Sequence, residues 1–211
     1  MGHEFILTPA IEHGWGGKVP IEQRLIEWAR QFQSKDKVAI DVGAHVGDWS
    51  VDMATYSREV HAFEAQRLTY GLLVANCAGY KNVYEHYIAL GEEGRCAALH
   101  LVGEDGGKTS LLKTPLHIEG RTEGVSVQKL DSYFIEKVGL IKLDVEGGEL
   151  GVLKGATRTL LDSGWPRLIF ECWSYPWFAM QKARLMDHIE ALGYTIVPID
   201  WPDMYLAERR P

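Results

Sequence analysis

With 211 residues and 46% hydrophobic content, the chain suits one α/β domain with a large buried core, while a formal charge of −7 and the lack of a Lys/Arg cluster argue against a phosphate-tracking surface and a nucleic-acid substrate. Cys77, Cys96 and Cys172 show no CxxC or metal-ligand spacing and read as reduced, mostly buried thiols of a cytoplasmic protein. No leader-like segment stands at the N-terminus, and no apolar run approaches the ~18 to 20 residues of a membrane span.

An opening helix is predicted from about Pro20 to Phe32, with Ile21, Leu25, Trp28 and Phe32 on one stripe. Residues 1–36 are expected to form an N-terminal helical segment of the same domain as 37–211. The run VAIDVGAHVGDW at 38–49 then reads as a buried strand entering a glycine turn and a helix N-terminus, where backbone N–H groups can approach a ligand closely. A second run, Val60 to Phe63, ends in Glu64. That acid stands about 20 residues after Gly43, the separation at which a Rossmann-like site holds the ribose hydroxyls of a nucleoside. A dinucleotide turn needs G-x-G-x-x-G, but His45 and Asp48 hold the second and third glycine positions and sit badly against a pyrophosphate. The run from Asp41 through Gly43 to Gly47 instead resembles D-x-G-x-x-x-G, the first motif of class I S-adenosylmethionine (SAM) methyltransferases. SAM has no phosphate and carries a sulfonium and an ammonium that favour a nearby carboxylate. Asp41 is therefore expected at its methionine end, directly or through water.

Helices are predicted from about Gly47 to Tyr56 and around Leu68, Leu72 and Ala75, followed by a third strand over roughly Val83 to Leu90. A less regular excursion at 91–124 holds two candidate antiparallel pieces, Ala97 to Val102 and Ser110 to Leu112, and a flap at about 103–118 rich in glycine (Gly103, Gly106, Gly107). Ser126 to Leu130 is a further short strand. The fourth core strand, GLIKLDVEGGE at 139–149, places Lys142, Asp144 and Glu146 on one side and Ile141, Leu143 and Val145 on the other. Three charges in so apolar a strand are costly unless they pair or serve a site. Ligands of an open parallel sheet bind beyond the carboxyl ends of its central strands. Asp144 and Glu146 are thus expected where a transferable methyl meets its acceptor.

One amphipathic helix with Leu150, Leu153, Leu160 and Leu161 should follow, stopping near Gly164 and Pro166. PRLIFECW at 166–173 is a fifth strand ending near Glu171. Phe178, Leu185, Ile189 and Leu192 pattern the next helix, and Thr195 to Ile199 and Tyr205 to Glu208 supply two last strands. The alternation predicts an α/β, Rossmann-like fold with a seven-stranded, mostly parallel sheet and helices on both faces.

In this order, IDVGAHVGDWS, VHAFEA, QKLDSY, IKLDVEGGELGVLKGA and PRLIFECW resemble the FkbM family of SAM-dependent methyltransferases, over residues 38–173. The resemblance implies the class I methyltransferase fold and O-methylation of a small-molecule acceptor, often a sugar or natural product. His45 stands where the family commonly has asparagine, and FEAQ replaces its frequent Phe-Glu-Pro. Cofactor contacts are expected from Asp41, Gly43, Ala44, His45, Gly47, Glu64, Ala65, Ile88, Ala89 and Asp144, with Glu64 on the ribose and Ile88 or Ala89 flanking adenine. Asp144 is the expected methyl-proximal acid, Glu146 the residue that orients or deprotonates the acceptor, and His45 and Glu171 secondary candidates. Asp144, Glu146 and Glu171 could offer oxygen ligands to Mg2+, a less favoured variant that spacing across different strands does not settle. Trp173, Tyr175 and Trp177 could wall an acceptor ring or pack the core. Two rival readings are a short-chain dehydrogenase, from the Tyr133-x-x-x-Lys137 spacing, and a SAM-fold protein that binds without catalysis. No motif at 1–36 or 91–124 converts into a chemical group of the acceptor.

Overall fold

The run VAIDV at 38–42 is buried at every position, which requires a strand covered on both faces. The computed structural model describes residues 4–8, 22–102, 107–117 and 120–209. This run is β1 (Val38–Val42), and it pairs in parallel with β2 (Glu59–Glu64) on one side and β7 (Val138–Leu143) on the other. Outside these lie β3 (Val83–Tyr87) and β8 (Arg167–Glu171), also parallel, and then β10 (Met204–Glu208) and β9 (Thr195–Pro198), which run antiparallel. The order is β3-β2-β1-β7-β8-β10-β9, the expected seven-stranded, mostly parallel sheet.

Alternation along the strands sends Ala39 and Ala62 to one face and Ile40 and Phe63 to the other. The first face is covered by α1 (Gln23–Ala29), α2 (Asp48–Tyr56) and α3 (Arg67–Cys77), through Leu25, Trp49, Met53 and Leu73. The second is covered by α4 (Glu149–Lys154), α5 (Thr157–Asp162) and α6 (Ala179–Ala191), through Val152, Leu160, Leu185 and Ile189. The opening helix is shorter than predicted and tightens into a 3-10 turn at Arg30–Phe32; Pro20 and Ile21 lie outside the described residues.

Further elements differ from the sequence reading. The third strand breaks at Ile88, whose N–H donates to the Glu64 carbonyl, and β4 (Ala89–Leu90) joins a second sheet. That sheet has the order β4-β6-β5, with β5 (Arg95–His100) antiparallel to β6 (Thr122–Gln128), and packs on its own core of Ala89, Leu99, Val125 and Val127. The strand predicted at Ser110 to Leu112 reduces to one bridge, in which Ser110 and His100 exchange backbone hydrogen bonds.

The single helix predicted after β7 is two. A Cβ at Gly155 would lie 2.0 Å from the Gly91 carbonyl oxygen, so the chain needs glycine to pass this backbone. Asp131 then caps the second half, its carboxylate accepting the N–H groups of Arg158 (3.0 Å) and Thr159 (2.8 Å).

Candidate active site

A cavity of about 380 Å³ runs across the carboxyl ends of β3, β2, β1, β7 and β8. The glycine turn creates the room. At Gly43 the backbone adopts φ +79°, and a Cβ there would fall 1.8 Å from the Asp144 carbonyl oxygen, so no larger residue could cross the end of β7. Gly43 and Ala44 both donate their N–H to the Phe63 carbonyl, which ties the turn to β2.

The cavity changes character along its length. Over β3 and β4 its wall is apolar, built from Phe63, Ile88, Ala89, Leu90, Leu99 and Leu111. Glu64 stands next to this region, only 8% exposed. Its carboxylate accepts from His45 N (2.8 Å), Gln66 N (2.7 Å) and Thr69 Oγ1 (2.9 Å). Aiming the His45 N–H at Glu64 places His45 at φ +50°, a left-handed conformation that asparagine and histidine tolerate better than most side chains. Three donors leave this carboxylate lone-pair capacity for a ligand hydroxyl.

Over β1, β7 and β8 the wall is acidic. Glu22, Asp48, Asp144, Glu146 and Glu171 line it together with Lys142. Lys142 is 3% exposed and donates to the Gly43 carbonyl at 2.8 Å, with Asp41 Oδ1 and Asp144 Oδ2 both 3.5 Å away. Burial pushes its pKa down, but Asp144, Asp41, Glu22 and Asp48 together outweigh burial and hold it above the ordinary lysine range. The acids show the opposite strain. Burial, reinforced by Asp144, raises Glu22 to about 7 and Glu146 to about 9. Burial, then Asp144 and Glu146, raises Glu171 to about 11, and burial raises Asp48 to about 6. Glu146 Oε2 and Glu171 Oε2 are buried and accept no hydrogen bond from the described residues. Asp144, Glu146 and Glu171 bring ligand-type oxygens within 4.8 Å of one another, close enough to share one cation.

The turn that presents Glu146 is held from both sides. Glu146 and Gly147 adopt φ +56° and +94°. Glu149, buried at the start of α4, accepts the N–H groups of Val145 and Gly147, both at 3.1 Å. Ser110 Oγ donates to the Glu146 carbonyl at 2.6 Å, so the returning excursion, with Lys108 and Thr109 on the cavity wall, is attached to the acidic end. Gly103 and Gly106 of the predicted flap lie outside the described residues.

The family model of the methyltransferase FkbM domain matches residues 41–196, most of the chain and the whole of this site except Glu22. The chain belongs to the FkbM methyltransferase family. Its fold resembles that of an FkbM methyltransferase from Methylobacillus flagellatus KT, with TM-score 0.59 and 18% identity over 83% of this chain and 44% of that one. The chain thus spans less than half the length of that relative. It also resembles an rRNA methylase from Streptococcus thermophilus (TM-score 0.53, 16% identity, 90% of this chain and 95% of that one). A putative methyltransferase from Streptococcus mutans, solved in complex with SAH, is similar to the same degree (TM-score 0.53, 15% identity, 90% and 96%). No curated protein matches the chain. Among the described residues, no helix is long and apolar enough to cross a membrane.

Within this FkbM domain, Gly43, His45, Glu64, Ala65, Ile88, Ala89, Asp144, Glu146 and Glu171 all line the cavity. Asp41, Ala44 and Gly47 do not. Asp41, expected at the methionine end, is fully buried behind the wall, where it accepts from Ser50 Oγ (2.6 Å) and faces Lys142. Its register partner across β1 and β7 is Lys142 itself, so a buried ion pair claims the carboxylate. Ala44 packs in the core, and Gly47 caps α2 at φ +94°. Trp173 is also core, edge-on to Phe178, while Tyr175 and Trp177 stack on each other outside the cavity lining. The Tyr133 and Lys137 pair is no catalytic dyad here: Tyr133 packs edge-on against Phe63 and His86, and Lys137 sits at the amino end of β7. Glu22, Asp48, Lys108 and Thr109 were missed. Glu22 precedes the first helix and carries no motif, and the sequence showed Asp48 only as a misfit to a dinucleotide turn.

Proposed function

We propose that this FkbM domain binds SAM along the cavity and directs its methyl to a hydroxyl of a small-molecule acceptor, of the sugar or natural-product type. The observation that supports this reading is the order of groups across the strand ends: apolar over β3 and β4, a hydrogen-bonding carboxylate on β2, then an excess of carboxyls over β1, β7 and β8. That order matches adenine, ribose, and a cationic methionine end. When bound, SAM supplies an already activated methyl electrophile. The protein's part is then alignment, exclusion of water and handling of one proton. Glu64 accepts from the ribose, and Ile88, Ala89 and Leu99 enclose the base. Asp144, held by Lys142, stands as the fixed negative charge nearest the reacting end. Glu146 orients the acceptor, and once the sulfonium's positive charge has displaced the proton that burial holds on Glu146, its carboxylate takes the hydroxyl proton as the acceptor oxygen takes the methyl and the thioether leaves. Glu171 supports Glu146 from β8.

Calorimetric titration with SAM, followed by transfer of a labelled methyl to a panel of sugars and hydroxylated natural products with and without Mg2+, tests the reading. A methyl ether product supports it. Failure of SAM to bind refutes the function, and a methylated nitrogen or carbon refutes the acceptor assignment.

A further inference from the structure

Removing Asp41 from the cavity leaves the cofactor's amino group without the partner the sequence suggested. The ligand's charge then has to be met by carboxyls that Lys142 does not already hold. Lys142 spans Asp41 and Asp144 and takes the Gly43 carbonyl as well. Glu22 is different: among the described residues it has no Lys or Arg within ion-pair distance, yet it sits on the cavity wall. Its Oε2 accepts the Trp49 Nε1–H at 2.8 Å, and Trp49 is itself buried between α1 and the sheet. The carboxylate is thereby aimed before any ligand arrives. Asp48, the first residue of α2, lines the same wall, and its Oδ1 accepts the Trp49 backbone N–H at 2.9 Å.

We propose that Glu22, with Asp48 beside it, holds the α-ammonium of the cofactor, so that the N-terminal segment and not the strand acid Asp41 recognises the amino-acid end. This rests on the SAM reading given above. Two physical points support the placement. A partly buried carboxylate outside ion-pair distance of any described Lys or Arg carries a charge that is costly to desolvate, and a bound ammonium offsets that cost. Sulfonium and ammonium are separated in the ligand by a short alkyl chain, comparable to the ~4.8 Å between neighbouring strands, so one cation can face Asp144 at the end of β7 while the other faces the end of β1. Burial, reinforced by Asp144, raises Glu22 to about 7.

Three ligands separate the possibilities. SAM and S-adenosylhomocysteine (SAH) both carry the ammonium, whereas 5′-methylthioadenosine keeps the base, ribose and thioether but lacks the amino-acid moiety. Titrations at about pH 8.5, where Glu22 is ionised, should show Glu22→Gln weakening SAM and SAH alike by about tenfold while 5′-methylthioadenosine binds as to wild type. Unchanged SAM and SAH affinity overturns the inference. So does an equal loss for all three ligands, which would make Glu22 a structural support for the cavity. Binding of 5′-methylthioadenosine also reports that the variant is folded; if Glu22→Gln does not fold, Glu22→Asp, which withdraws the carboxylate while keeping its charge, must give the same pattern. Wild-type protein that binds none of the three refutes the SAM reading itself.

Discussion

Glu64 and Glu171 end two strands of the same sheet, β2 and β8, with β1 and β7 between them, and their carboxyls live in opposite circumstances. Glu64 is nearly enclosed, but three protein donors satisfy it and fix the glycine turn around it. Glu171 and its neighbour Glu146 each bury an oxygen that no described group satisfies, in a crowd of like charges. The first carboxylate is complete without a ligand and adds recognition to a structural job. The second pair lowers stability until something cationic or proton-bearing arrives, a pattern associated with functional sites.

The difference has consequences that can be broken one by one. The largest concerns rate. Glu146→Gln removes the proposed proton acceptor without altering shape, and turnover should fall by ~10² to 10⁴ while SAM affinity stays close to wild type. Comparable loss of SAM binding would move Glu146 to the cofactor side. Glu64→Gln should behave in the reverse manner. It turns one carboxylate oxygen into a donor facing existing donors, so both SAM affinity and thermal stability should drop, each by ~1.5 to 3 kcal/mol. Calorimetry and thermal melts of the same preparation check this, and a loss of affinity with unchanged stability would contradict the dual role.

A smaller effect lies in the pH dependence of the ligand-free protein. Glu146 and Glu171 keep their protons in the folded state, with values of about 9 and 11, but lose them near the ordinary glutamate value when unfolded. Between these limits the folded state binds more protons than the unfolded one, so stability falls as pH rises from about 5 toward 9. Glu171→Gln should flatten that slope in denaturant titrations. An unchanged slope would show that the crowding is relieved some other way.

These residues also show what could be read from sequence. Asp144 and Glu146 were legible because strand alternation and the binding rule for parallel sheets are local facts applied to one apolar run. Glu64 was legible from its distance to Gly43. Asp41 was misplaced because its fate depends on the register between β1 and β7, which puts Lys142 directly opposite it and which no local pattern encodes. Glu22 was missed for the related reason that it reaches the site through a Trp49 contact 27 positions away in the chain. The split at Gly155 likewise depends on Gly91, brought beside it only by the second sheet. Alternating runs therefore revealed the sheet, and pairings between distant segments decided which carboxyls face the cavity.

On the proposed reading, the acidic end of the cavity receives a cationic ligand. Proton release on binding tests this directly, since a sulfonium placed at this end must lower the affinity of Glu146 and Glu171 for protons. Titrations with SAM and SAH at about pH 8, repeated in buffers of different ionisation enthalpy, measure that release. SAM should expel a substantial fraction of a proton, and SAH, which lacks the sulfonium, distinctly less. Equal release by the two ligands would show that these acids do not face the sulfonium.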